Sequence, residues 1–279
     1  MTLWASLKRR TLLIMKNSLP GAAIAQLAQH APTAVLISLP AFAYSVLAET
    51  VAMWMEREVY DADSAFASLG FLLGIVGFVA YFAIFGAMAI AWHRLILQRE
   101  EPVALGLQGA FGRLTSYATQ WFVLGVVISI PVMIVQIPFI FMQSQTLILE
   151  QGEVGLVAGS VFVVVPYAIG GMLILRLGQK LVAIATDAPE MSFRDSWRMT
   201  RPHAMPVVMA GLLLGAVAFI VYVPAELVVT GRLDFIGSDP MGGWVLAFID
   251  GVGGVLLVLL EVSFLTELYR RCTTTSARD

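Results

Sequence analysis

Charge is what this sequence has least of. Only 13% of its 279 residues are Asp, Glu, Lys or Arg, against about 25% in an average soluble domain. With roughly half the usual charge missing, the chain cannot dress the surface of a water-soluble fold, and that class is excluded. Thiols are scarcer still: Cys272 stands alone, so neither an internal disulfide nor a thiolate metal cluster is available. The three histidines, His30, His93 and His203, show no H-E-x-x-H or comparable metal spacing. No G-x-x-x-x-G-K-[ST] phosphate loop and no G-x-S-x-G nucleophile elbow occurs. These absences argue against an enzyme and against a cofactor. A net charge of −2 gives no bulk attraction to nucleic acid. Between Lys8-Arg9-Arg10 and Lys16 only "TLLIM" is fully apolar, shorter than a cleavable signal core. The first span is therefore expected to serve as an uncleaved insertion signal.

What the chain does have is apolar length. Charge-free runs cover 17–48, 64–93, 114–149, 154–175 and 202–225, each longer than the ~20 residues a helix needs to cross a bilayer. A further run, 240–266, is broken by Asp250 and Glu261. The expectation is an all-α polytopic membrane protein of six transmembrane helices, at 31–54, 65–92, 118–142, 154–175, 205–229 and 243–266. These form one domain over 21–272, with a tail at 273–279. Residues 1–20 are expected to form an interfacial amphipathic helix. At 100° per residue Leu3, Trp4, Leu7, Ile14 and Met15 fall within an arc of about 120°, with cations turned towards headgroups.

The loops fix an orientation. The amino terminus carries Lys8, Arg9, Arg10 and Lys16, and the second loop Arg94, Arg99 and Arg113. The fourth loop carries Arg176, Lys180, Arg194, Arg198 and Arg201, and the tail Arg270, Arg271 and Arg278. Only Arg57 and Arg232 of the 17 basic residues lie opposite. By the positive-inside rule both termini are expected in the cytoplasm.

The two long basic loops share a plan. "AWHRLILQREEP" from Ala91 and "LRLGQKLVAIATDAP" from Leu175 each run from a span-end arginine through an apolar turn to an acidic-proline stop. "ELYRRC" closes the last span similarly, suggesting three helix hairpins. These pieces, with the full stretch "LRLGQKLVAIATDAPEMSFRDSWRMTR", resemble a group of bacterial inner-membrane proteins. That group is related to the membrane domain preceding the catalytic domain of some glycerophosphodiester phosphodiesterases. The resemblance spans roughly residues 15–272 and implies a six-span fold in the bacterial inner membrane. It implies no reaction for this chain, because no soluble segment within these residues could hold the catalytic barrel.

Two clusters stand out as candidate sites. In "SFRDSWRMTRPH" Ser192 and Asp195 fit a capping box. On the helix they would start, Phe193, Trp197 and Thr200 share one face, and Arg194, Arg198 and Arg201 stack on the next. With Arg94 and Arg176 at the neighbouring span ends, these arginines are candidate lipid-headgroup contacts. The second cluster is Asp250 and Glu261, three turns apart on one face of the last span. They form either a polar intramembrane path or a structural pair, Glu261 bonding Arg94 or Arg176. The favoured expectation is an organising or accessory protein that contacts membrane lipids and other membrane proteins. The alternative is a small transporter or channel along Asp250 and Glu261, which a cavity reaching either residue would favour.

Overall fold

The computed structural model describes residues 18–59, 64–100, 107–146, 153–229 and 240–276. The expected interfacial helix lies outside them as far as Asn17. The described residues are almost all helical, with no strand among them. Ser18 caps α1 (Leu19–Gln29), its hydroxyl accepting from the Gly21 amide at 3.0 Å, with Pro20 in the first turn. After a break at His30 the chain runs through α2 (Ala31–Val59), α3 (Ser64–Gln98), α4 (Leu107–Thr146) and α5 (Glu153–Leu177). Two short helices follow, α6 (Gln179–Ala185) and α7 (Phe193–Thr200), and a 3-10 turn at Arg201–His203 leads into α8 (Ala204–Val229) and α9 (Pro240–Ser276).

Five described segments are long and apolar enough to cross a membrane, or six when the pair Val164–Leu177 and Gln179–Ala185, bent by 52°, counts as one. Their outward faces are oily. Phe71, Val76, Ile130, Met133 and Ile220 are each more than half exposed, a surface that hydrocarbon solvates and water does not. Lipid tails are as apolar as leucine, so the hydrophobic effect cannot by itself choose which helices meet. Close approach and polar bonds must decide.

Close approach decides the pairing of α5 with α8, the most extensive helix contact of the bundle. A Cβ on Gly211 would lie 2.7 Å from the Ala168 carbonyl oxygen, and one on Gly215 2.7 Å from that of Val164. Any larger residue at either position would push the helices apart. The pairs α2–α3, α4–α5 and α8–α9 also touch, as three hairpins would, but α9 gathers the fold. It packs on α1, α2, α3 and α8. Of its window Ala247–Thr274, 56% is buried, against 11% for Ala110–Pro138 of α4. The central helix is the one carrying Asp250 and Glu261.

The bend between α5 and α6 turns at Gly178, where a Cβ would meet the Ile174 carbonyl oxygen at 2.6 Å and Leu265 at 3.0 Å. Carbonyls freed by the bend find side-chain donors: Ser196 Oγ donates to the Arg176 oxygen at 2.8 Å and Gln179 Nε2 to that of Leu175 at 3.0 Å. Helix α6 stops at Asp187, whose φ of 54° is left-handed, and the Ala188 amide reaches back to the Ala183 carbonyl at 2.9 Å. That closing bond matches a Schellman stop, at the acidic-proline position expected from the sequence.

Candidate functional site: an acidic cavity inside the bundle

The basic end is built of satisfied charges. Arg94 donates two 2.7 Å bonds to Glu100, one of 2.7 Å to Asp187 and one of 3.2 Å to the Ala185 carbonyl. Arg113 of α4 grips the same Asp187 through bonds of 2.9 and 2.7 Å. The Arg113 guanidinium, with Arg94 beside it, holds the Asp187 carboxyl below its ordinary range. Three helix ends are thereby tied at one residue. Glu267, almost completely buried, receives Arg270 at 2.9 Å, Arg271 at 2.8 Å and Gln26 of α1 at 3.0 Å. His93, fully buried, bonds Thr266 through Nδ1 at 2.8 Å and stands 3.4 Å from the Tyr117 hydroxyl, joining α3, α9 and α4. It is a structural link.

The elbow takes the local form its sequence signals. Ser192 accepts from the Asp195 amide at 3.2 Å, and Asp195 accepts from the Ser192 amide at 3.2 Å, the reciprocal capping box. Ser196 and Thr200 are buried against α5, while Arg194, Arg198 and Arg201 are exposed. Arg176 lies 4.6 Å from the Trp197 ring centroid, and Lys180 stands 4.8 Å from that of Phe193. The five arginines named from sequence therefore divide. Arg94 is spent on protein acceptors and Arg176 stacks on an aromatic, whereas the elbow's three face outward. Neither Arg94 nor Arg176 is bonded to Glu261.

Asp250 and Glu261 sit in different surroundings. Both line a cavity of about 690 Å³ in the bundle, together with Glu49 of α2. Along α9, Glu261 is six residues from Glu267, and Asp250 eleven further, so the two cavity carboxylates are spaced roughly 16 Å along the axis. All six long helices contribute to the wall. Asp250 is within electrostatic reach of Glu49, and Glu261 of Tyr81 and Tyr167. The Asp250 Oδ1 atom is buried without a hydrogen-bond partner. No Lys, Arg or His appears among the described lining residues.

Aromatic rings make up much of the rest of the wall. Tyr81 meets Phe85 at 4.5 Å and Trp121 at 5.9 Å between centroids, and Tyr167 stacks on Tyr222 at 5.5 Å. The glycines of "DGVGG" serve two purposes: Gly251 brings α9 within 3.1 Å of Val46 for an added Cβ, while Gly254 faces the cavity. The sequence points to no ligand at Glu49 and does not show the aromatic wall. Glu49 was readable as acidity near a span end, but the six helices that converge on it are far apart in sequence. No protein-family model, curated protein or solved structure matches this chain.

Proposed function

We propose that this chain is a small multi-pass transporter or channel that admits a cationic species to the cavity lined by Asp250, Glu261 and Glu49. The observation that carries this reading is Glu261: half-buried in the bundle, facing a large cavity, and bonded to no basic group. An ionised carboxylate deep in a span costs at least ~2.5 kcal/mol on insertion scales, and such groups face partners or watery paths. The basic end shows how this fold treats structural carboxylates, with two or three donors each. Glu261 receives no such treatment, which favours transport over the accessory role expected from the sequence. In this reading the bent pair α5–α6 completes a sixth span of a bacterial inner-membrane protein with both termini cytoplasmic. The relation to the phosphodiesterase-associated membrane domain belongs to the same proposal and concerns the bundle alone. No residue is proposed as catalytic.

The test is flux into proteoliposomes containing the purified protein, with Na⁺, K⁺, H⁺ and the organic cation benzyltrimethylammonium supplied in turn. Flux should fall at least tenfold in D250N and E261Q. Equal flux in the wild type and the double variant D250N/E261Q would overturn the reading. A lipid-contact role at the other end has its own support in the exposed trio Arg194, Arg198 and Arg201 beside Trp197, and it does not compete with transport. Unchanged lipid co-purification after replacing all three would sink it.

A further inference from the structure

We infer that the ligand of the cavity is a monovalent organic cation with an apolar, aromatic-sized body, its charge held at Glu261 and its body against Tyr81 and Trp121. This inference rests on the transport reading and names the substrate class for the same cavity. Three features of the wall select that class.

The first is charge. Three carboxylates and no described basic residue face the space, so an incoming anion would meet only repulsion. Glu261 is half-buried and has no basic partner of its own, and a ligand cation would supply the missing counter-charge. The second is the aromatic lining. Six rings border the cavity: Tyr44, Tyr81, Phe85, Trp121, Tyr167 and Tyr222. The faces of such rings attract a desolvated organic cation, and two of the tyrosines also stand within electrostatic reach of Glu261.

The third feature is size. A volume of about 690 Å³ lies in the range of sites for drug-sized ligands, roughly 300–1,000 Å³. It is far larger than the shell around a bare metal ion. Divalent cations also need several oxygens converging at short range. Among the described residues no three His, Cys, Asp or Glu side chains come close enough to share an ion. Ile128, Ile174, Leu257 and Val258 also line it, which gives an apolar body somewhere to lie and does nothing for a hydrated ion.

The experiment uses two ions of nearly the same shape and opposite charge, tetraphenylphosphonium and tetraphenylborate. Full-length protein in lipid nanodiscs is dialysed to equilibrium against each radiolabelled ion, with empty nanodiscs as the partition blank. Saturable binding of the phosphonium near one per chain is expected, with the borate matching the blank. E261Q should weaken phosphonium binding by at least tenfold. W121A should weaken it by about 3–10-fold, the scale of one cation–aromatic contact. E190Q, exposed and outside the cavity, should leave it unchanged.

Saturable borate binding, or E261Q binding the phosphonium as well as wild type, would overturn the inference. Failure of the two readings is separable. If the phosphonium does not bind but a Glu261-dependent flux of Na⁺, K⁺ or H⁺ persists, the ligand class is wrong and transport stands. If it binds through Glu261 but no cation crosses the proteoliposome membrane, the site stands and transport falls.

Discussion

Two glutamates on one helix, six residues apart, meet opposite fates. Glu267 is buried at the basic end and bonded to Arg270, Arg271 and Gln26. Glu261 is half-buried just above it and faces a cavity without a basic partner. Glu267 is the more buried of the two and Glu261 is open to the cavity, but burial alone does not make an acid structural. Partners do. A carboxylate with three donors contributes to holding the helices together, and one without them costs stability wherever it stays ionised. A structural acid in such a bundle has its donors built in, as Glu267 does.

The largest effect should come from splitting this pair by mutation. E261Q is expected to lower cation flux at least tenfold, and towards a hundredfold if Glu261 is the obligatory stop, while thermal stability in detergent stays equal or rises. E267Q should do the reverse. It removes half of two ion pairs and should cost about 2 kcal/mol in a denaturation titration, below the ~3–5 kcal/mol of a fully buried pair. The discount reflects Arg270 and Arg271, which are 54% and 25% exposed and can turn to solvent. Flux per folded molecule should survive in E267Q. If both variants lost stability equally and flux equally, the contrast would be broken.

A middle-sized effect is expected at the interface that frames the cavity. G211V would drive a side chain into the Ala168 carbonyl and Met172, and overpacking of this kind costs about 1–3 kcal/mol. Thermal unfolding checks the loss. An unaltered midpoint would mean that α5 and α8 can separate without penalty.

The pattern of spans was readable in the sequence because hydrocarbon imposes it: 205–229 was expected and Ala204–Val229 is observed. The elbow cap at Ser192 was readable for a local reason, since a capping box involves only four residues. Where the sequence misled, long-range partners were responsible. The last span was drawn to end at 266, yet α9 runs to Ser276. Hydropathy stops at charges, and it cannot see that Glu267 pairs with Arg270 and Arg271. The break at His30 was hidden inside one charge-free run, although Ser18 followed by Pro20 is a helix-start signal. The cavity was not legible at all. It depends on the mutual rotation of six helices, and of its three carboxylates only Asp250 and Glu261 share a segment.

Acid should loosen the basic end slightly through the Asp187 clamp. The folded carboxyl lies below its ordinary value, so its contribution is present above the unfolded value of about 4 and fades as pH falls through the folded one. Wild type should therefore lose stability on acidification in a component that D187N lacks. The carboxylate is more than half exposed, so the component should stay below about 1 kcal/mol. Identical acid profiles for wild type and D187N would show that Arg94 and Arg113 hold the helix ends without it.

The smallest change in stability is expected from replacing Arg194, Arg198 and Arg201 together with glutamine. All three are exposed on a helix whose cap, Ser192 with Asp195, remains intact, and exposed substitutions of this kind usually stay within about 0.5 kcal/mol each. Their value lies in sharpening the comparison from the other side. Arg94 and Arg176 carry the same charge but are occupied by Asp187, Glu100 and Trp197, so they have less to offer a headgroup. Each free cation near an anionic surface contributes roughly 1 kcal/mol. The triple variant should therefore retain markedly less anionic lipid through purification, measured by mass spectrometry, with phosphonium binding at Glu261 unaltered. R176Q should leave retained lipid nearly constant and instead loosen the elbow. If R176Q lost as much lipid as the triple variant, the division between occupied and outward-facing arginines would fail, and headgroup contact would follow position along the membrane instead.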